Sequence, residues 1–202
     1  MAYELDNMKL ESLRRITKLL RGVLIELKSN DPELQDSIVR PRYTEYLTAL
    51  KLAERGHTVQ LSEEREVRSA DIYLPNAIKK RVEVKSCLVD EDGWAGASFG
   101  VGTQITKNKF DYCVFMTFGR SGNEDPKNIF IFTRDELEEA ATKKGRYGVA
   151  RFETTNPCLL LYAPTPSKYN YYVEHEGIKA FKIERKLCNR PEKFRNAWDK
   201  IR

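Results

Sequence analysis

The chain has 202 residues, 41% of them hydrophobic and 32% charged, with a formal net charge of +5. That balance suits one domain large enough to bury a proper core, and it excludes a membrane-spanning protein: the longest apolar runs, such as Val114-Phe115-Met116 and Leu159-Leu160-Leu161, are far too short for a bilayer. Met1-Ala2-Tyr3-Glu4 lacks a signal-peptide pattern, and Cys87, Cys113, Cys158 and Cys188 have neither CxxC nor Cys/His spacing, so a cytoplasmic protein with reduced thiols is expected rather than a secreted disulfide scaffold or a zinc site.

Residues 6–28 predict an amphipathic helix, because Leu13, Ile16, Leu20, Val23 and Leu27 recur three and four apart with charges opposite. Its stripe packs on its own domain or on a second copy. A second helix is expected from near Pro41, which suits a first helical position, to Gly56, which suits a left-handed cap. Glu45 shares its face with Ala49 and Leu52, which places this carboxylate at the margin of the buried side; a surface pairing with Arg42 is the other reading.

Residues 57–61 predict the first strand, and 62–68 a loop or strand extension. Two further strands follow at 69–74 and 81–87, separated by a loop carrying Pro75 and Asn76. Period-two alternation puts Val82, Val84 and Leu88 on one face and Glu83 with Lys85 on the other. With Asp71 delivered from the neighbouring strand, two carboxylates and an ammonium make a small site for a hard divalent cation and a water. Acid-x-lysine spacing recurs at Glu26 to Lys28, Asp125 to Lys127 and Glu184 to Lys186, but only Glu83-Val84-Lys85 lies in a β-branched run with an acid on an adjoining strand.

Residues 89–102, rich in Gly and Asp and without periodicity, predict a mobile loop whose Trp94 or Phe99 either stacks on a base or covers the sheet edge. A short helix is expected over 103–110, with Gln104, Lys107 and Lys109. Residues 111–118 predict a central strand buried on both faces, 119–127 a turn and 128–132 another strand. Thr133-Arg134-Asp135-Glu136 has capping-box spacing and starts a helix ended by Gly145. Strands are expected at 149–154 and 158–162. His175, between Glu174 and Glu176, reads as a surface residue. From 179 to 202, nine basic residues face three acids, interleaved with Phe181, Phe194 and Trp198. This segment, with Arg185, Lys186, Arg190, Lys193 and Arg195, reads either as a phosphate-backbone contact surface or as an amphipathic helix with a solvated basic face.

Asp71, eleven intervening residues and Glu83-Val84-Lys85 resemble the PD-(D/E)xK nuclease superfamily, which includes many restriction endonucleases, junction resolvases and repair nucleases; Ala70 stands where many members have proline. The resemblance spans residues 41–118. It implies an α/β fold with a restriction-endonuclease-like core, a mixed central sheet flanked by helices over about 37–163, an N-terminal helix and a basic C-terminal extension. It further implies an Mg²⁺-dependent endonuclease acting on double-stranded DNA, with Mn²⁺ as a substitute, most simply a homodimer of the type II restriction kind; a junction-resolving or repair nuclease shares the same core. Asp71 and Glu83 would hold the ion with the Val84 carbonyl as a third ligand, Lys85 would orient the attacking water, and Ser86 would touch phosphate. The resemblance places Glu45 at the metal or its water and Gln104 near the scissile phosphate. A nucleic-acid-binding protein without catalysis, relying on the basic segment, is the reading from another class.

Overall fold

The computed structural model describes residues 10–62, 70–75, 80–89, 97–100, 109–119, 124–137, 149–151, 158–161 and 194–202. Helix α1 spans Leu10–Asn30, and a one-turn α2 (Pro32–Leu34), a π-helical turn (Gln35–Val39) and α3 (Arg40–Ala53) then run on without a break. Asp31 caps α2 by accepting from the Leu34 N–H at 2.9 Å. The wider π turn ahead of Pro41 lets a proline lie inside helical chain, where its ring would otherwise press on the carbonyl four residues back. After α3 the chain turns through Gly56 at φ 86°, whose N–H reaches the Ala53 carbonyl at 3.0 Å.

A mixed sheet of five strands has the order β1-β2-β3-β5-β6, with β1 (Gln60–Leu61), β2 (Ile72–Leu74), β3 (Lys80–Val89), β5 (Tyr112–Gly119) and β6 (Asn128–Thr133). β3 and β5 are parallel and the other neighbours antiparallel. The molecule is therefore α/β, with α3 ahead of β1, β2 and β3 in the chain and β5 after them; the helix expected over 103–110 lies almost wholly outside the described residues. β1 is shorter than the 57–61 run, although Val59 still buries its side chain ahead of it.

The helices cover one face of the sheet. Ile72, Leu74, Val82, Val84, Val114, Met116, Ile129 and Ile131 pack there with Leu13, Leu24, Ala49 and Leu52. α1 docks through Leu13, Thr17 and Leu24, so its inner line runs one residue beyond Val23, which is 41% exposed. Both lines satisfy helical spacing, and packing on α3 selects between them. Arg21 fixes α1 from the side through two hydrogen bonds to the Asp125 carboxylate, at 3.0 and 2.9 Å. No helix among the described residues is long and apolar enough to cross a membrane.

The other face carries aromatic residues: Phe115 meets Phe132 edge-on at 5.5 Å, and Phe194 stacks on Phe132 at 4.1 Å. The segment 194–202 hydrogen-bonds along the outer edge of β6, with the Asn196 N–H on the Ile129 carbonyl at 2.9 Å. It puts Phe194 on the aromatic face and Trp198 and Ile201 into the helix-side core. This corrects the reading of its aromatics as part of a solvated basic helix or DNA-facing surface: burying Phe194 and Trp198 removes far more apolar area from water than a solvated helix would. A second sheet, β4-β8-β7, joins Ala97–Gly100, Cys158–Leu161 and Val149–Arg151. β4 occupies part of the run expected to be a loop; its short Ala-Ser-Phe-Gly sequence finds its strand partner only in β8. Thr133 and Glu136 make the expected reciprocal cap, at 2.9 and 3.2 Å. The helix end at Gly145 and His175 lie outside the described residues.

Candidate active site

The register of the β2–β3 pair builds the site. Ile72 faces Val82, Tyr73 faces Arg81 and Leu74 faces Lys80, so one step beyond the Ile72–Val82 pair Asp71 lies opposite Glu83. Ile72 and Val82 are both fully buried against the helices. Alternation therefore sends Asp71 and Glu83 together to the other face of the sheet, along with Lys85. Asp71 is held at both ends of the residue: its carbonyl accepts from Ser62 N–H at 2.8 Å and its Oδ2 accepts from Val84 N–H at 2.7 Å. In a strand a residue's N–H and C=O point to the same edge, so the Val84 carbonyl lies on the Asp71 side of β3.

Glu83 is 3% exposed, and its carboxylate is in contact with the Lys85 ammonium. Burial, then Glu83, then Glu45, push the Asp71 carboxyl up to about 7, against the Val84 N–H and Lys85, which lower it. Burial alone would depress Lys85, but the Glu83 carboxylate and then Asp71 outweigh it and hold the ammonium above its ordinary value. Cys113, paired with Glu83 across β3 and β5, is fully buried. Burial and then Glu83 raise its thiol well above the ordinary range, which leaves it a packing group rather than a nucleophile.

Glu45 reaches the same region from α3. It is 8% exposed and accepts from Arg42 Nη1 at 2.8 Å, while Arg42 also reaches the Ser62 carbonyl at 3.3 Å. Both readings of Glu45 thus hold at once: it is at the buried margin and it is paired with Arg42. Among the described residues no three His, Cys, Asp or Glu side chains stand close enough together to hold one ion. The arrangement that is assembled is two carboxylates, Asp71 just ahead of β2 and Glu83 on β3, with the Val84 carbonyl on the Asp71 side; Glu45 nearby is engaged by the guanidinium of Arg42.

Ser86 is displaced from the expected site. It shares the helix-facing side of β3 with Val82 and Val84 and pairs with Met116 of the core, because a strand cannot aim adjacent residues at one face. Lys109 is described, partly buried beside the fully buried Phe110. Arg195 donates to Asn128 Oδ1 and lies 5.5 Å over the Phe130 ring, so it braces the edge of the sheet rather than facing DNA. Gln104, Lys107, Trp94, Arg185, Lys186, Arg190 and Lys193 lie outside the described residues.

One contributor went unread in the sequence. Asp111, taken there only as the start of a strand, accepts from Arg81 N–H at 2.8 Å and Arg81 Nε at 3.2 Å, and returns its own N–H to the Arg81 carbonyl at 2.9 Å. It fixes the register of β3 against β5 two residues from Glu83. The signal was there in an arginine and an aspartate opening two apolar strands. A cleft of about 190 Å³ beside it, lined by Lys80, Asp111, Tyr112, Thr133, Arg134 and Asp135, contains none of the three convergent residues.

No family model matches this chain, and no curated protein matches it. Among solved structures it is similar to a bacterial homing endonuclease, with 14% identity, 82% of this chain and 93% of that chain covered, and a TM-score of 0.44.

Proposed function

We propose that the chain is an Mg²⁺-dependent endonuclease that hydrolyses phosphodiester bonds of double-stranded DNA, of the restriction-like type, with Mn²⁺ as a substitute ion. One observation carries the reading: Asp71 and Glu83 meet on one face of neighbouring strands, Glu83 buried and Asp71 half-buried, with Lys85 beside them. A fold does not need such an arrangement for stability. A carboxyl raised to about 7 by burial first, and then by two like-charged neighbours, opposes folding at neutral pH, and such groups collect at functional sites.

The donors fit the ion. Two carboxylates and a carbonyl form a hard-oxygen set of the kind magnesium takes, and their surplus negative charge is what a cation relieves. Asp71, Glu83 and the Val84 carbonyl would hold it; when bound it supplies Lewis-acid polarisation of the phosphate and acidifies water. The remaining steps belong to the chain. Lys85 Nζ, anchored by Glu83, is placed to orient the attacking water and to offset the charge that builds on the phosphate oxygens. Glu45, fixed by Arg42, keeps a negative field on Asp71 and favours occupancy by a cation. Gln104 is assigned a supporting place near the scissile phosphate. Two copies of the chain would cut opposite strands.

The test is plasmid cleavage by purified protein in Mg²⁺ or Mn²⁺, with Glu83→Ala and Lys85→Ala beside the wild type. Discrete fragments support restriction-type cutting, and preference for branched or damaged DNA moves the role to resolution or repair. A wild type that binds DNA yet leaves it intact with either ion would remove the nuclease reading in favour of a non-catalytic nucleic-acid-binding protein.

A further inference from the structure

We propose that Arg42 binds a phosphate of the DNA backbone, next to the phosphate that is cut, through the Nε–Nη2 edge of its guanidinium. The DNA in this statement rests on the nuclease reading; the open edge does not. Arg42 stands in the first turn of α3, three residues ahead of Glu45, and its side chain is 33% exposed. Both of its side-chain hydrogen bonds leave from one nitrogen: Nη1 donates to Glu45 Oε2 at 2.8 Å and to the Ser62 carbonyl at 3.3 Å. Nε and Nη2 donate to nothing among the described residues.

The edge left over is the one that grips oxyanions. Nε–H and one Nη2–H point the same way and match two oxygens of a carboxylate or phosphate. Arg21 shows this grip in the same molecule, with Nε and Nη2 on the two oxygens of Asp125 at 3.0 and 2.9 Å. Arg42 presents that edge beside the acid pair. The carbonyl it holds belongs to Ser62, whose N–H donates to the Asp71 carbonyl at 2.8 Å, so one residue of backbone separates the guanidinium from Asp71. Burial alone would lower the Arg42 pKa; the Glu45 carboxylate, then Tyr46 and Asp71, outweigh it and raise it. Two other cations of this region have carboxylate partners, Lys85 in Glu83 and Arg81 in Asp111. The oxygens of the cut phosphate would be served by the ion and by Lys85, which leaves the Arg42 fork to a neighbouring phosphate and makes it a device for register along the strand. Fixing Glu45 alone calls for one donor, which a lysine would supply.

The test is the salt dependence of DNA binding by the full chain, read from the anisotropy of a short fluorescein-labelled duplex in Ca²⁺ between about 50 and 200 mM KCl. Losing one phosphate contact should reduce the slope of log affinity against log salt by about 0.9 in Arg42→Gln. Arg42→Lys, which keeps the charge and loses the fork, should keep the slope and bind several-fold more weakly. Glu45→Gln should leave the slope as it is, because it removes an anchor of Arg42 and not the phosphate contact. Equal slopes in wild type and Arg42→Gln, or the same fall in Glu45→Gln, would overturn the proposal. Should Arg42→Gln lose the wild-type circular dichroism spectrum, Arg42→Lys decides, and binding as tight as wild type would overturn it. A wild type that cuts in Mg²⁺ while Arg42→Gln keeps its slope sinks this assignment and leaves the nuclease reading. A fall in slope in a protein that never cuts does the reverse, and a wild type without affinity for the duplex sinks both.

Discussion

Two charged clusters sit two residues apart on β3 and are built from the same residue types, yet they are opposite in kind. At Arg81, the Asp111 carboxylate meets a guanidinium and a backbone N–H, and charge is matched. At Glu83, three carboxylates share one region with Lys85 and Arg42, and Asp71 is left raised to about 7. The first cluster joins strands. The second is held together by the fold around it, in a state the fold alone does not favour, which is the usual mark of a site whose missing charge comes from a ligand.

Removing the Glu83 carboxylate or the Lys85 ammonium separates the two clusters most sharply. Glu83→Ala and Lys85→Ala are expected to lower cleavage at least about a hundredfold while leaving DNA binding within a few-fold in a gel-shift assay. Loss of binding in step with cutting would mean that these groups hold DNA and do not act on it.

Asp111→Ala should do the converse and cost stability, about 1–3 kcal/mol in urea unfolding, because the Arg81 N–H and guanidinium lose their acceptor in a half-buried place. Asp71→Asn should instead leave the metal-free protein as stable as wild type or more so, while losing activity. If both variants unfold alike, the contrast between the clusters fails.

The pH dependence carries a sign. Because burial lifts the Asp71 carboxyl from 3.8 to about 7, the folded chain holds that proton more tightly than the unfolded chain. Its contribution favours folding at acid pH and is lost as the pH rises through about 7. The metal-free melting temperature should therefore fall between about pH 4 and pH 7 more steeply in wild type than in Asp71→Asn, and Mg²⁺ should recover it above about pH 7. A pH profile identical in the two proteins would contradict this. The smallest expected effect is Thr133→Ala, which removes one side of the capping box: about 1 kcal/mol of stability with cleavage unchanged.

What could be read from the sequence was set by local chemistry. The capping box, the glycine after α3 and the alternation that puts Glu83 with Lys85 depend on neighbours in the chain, and each is found as expected. What could not be read depends on distant partners. Leu24 rather than Val23 turns inward because α3 is there; Phe194 is buried because Phe132 offers it a ring; β4 is a strand because β8 lies beside it. At the site, the acid pair was legible from strand pattern, whereas the hold of Arg42 on Glu45 and of Asp111 on Arg81 needed positions that only folding brings together.

The parallel pairing of β3 with β5 has a consequence in time. Arg81 and Asp111 are 30 residues apart in sequence, and parallel strands cannot zip from a tight turn, so the acid-bearing strand is fixed only after a long loop has closed. A growing or half-folded chain can form the β2–β3 hairpin early and still lack a rigid floor beneath Glu83. Under the proposed nuclease activity, the ability to cut would wait on that closure, so a fragment lacking β5 is expected to be inactive.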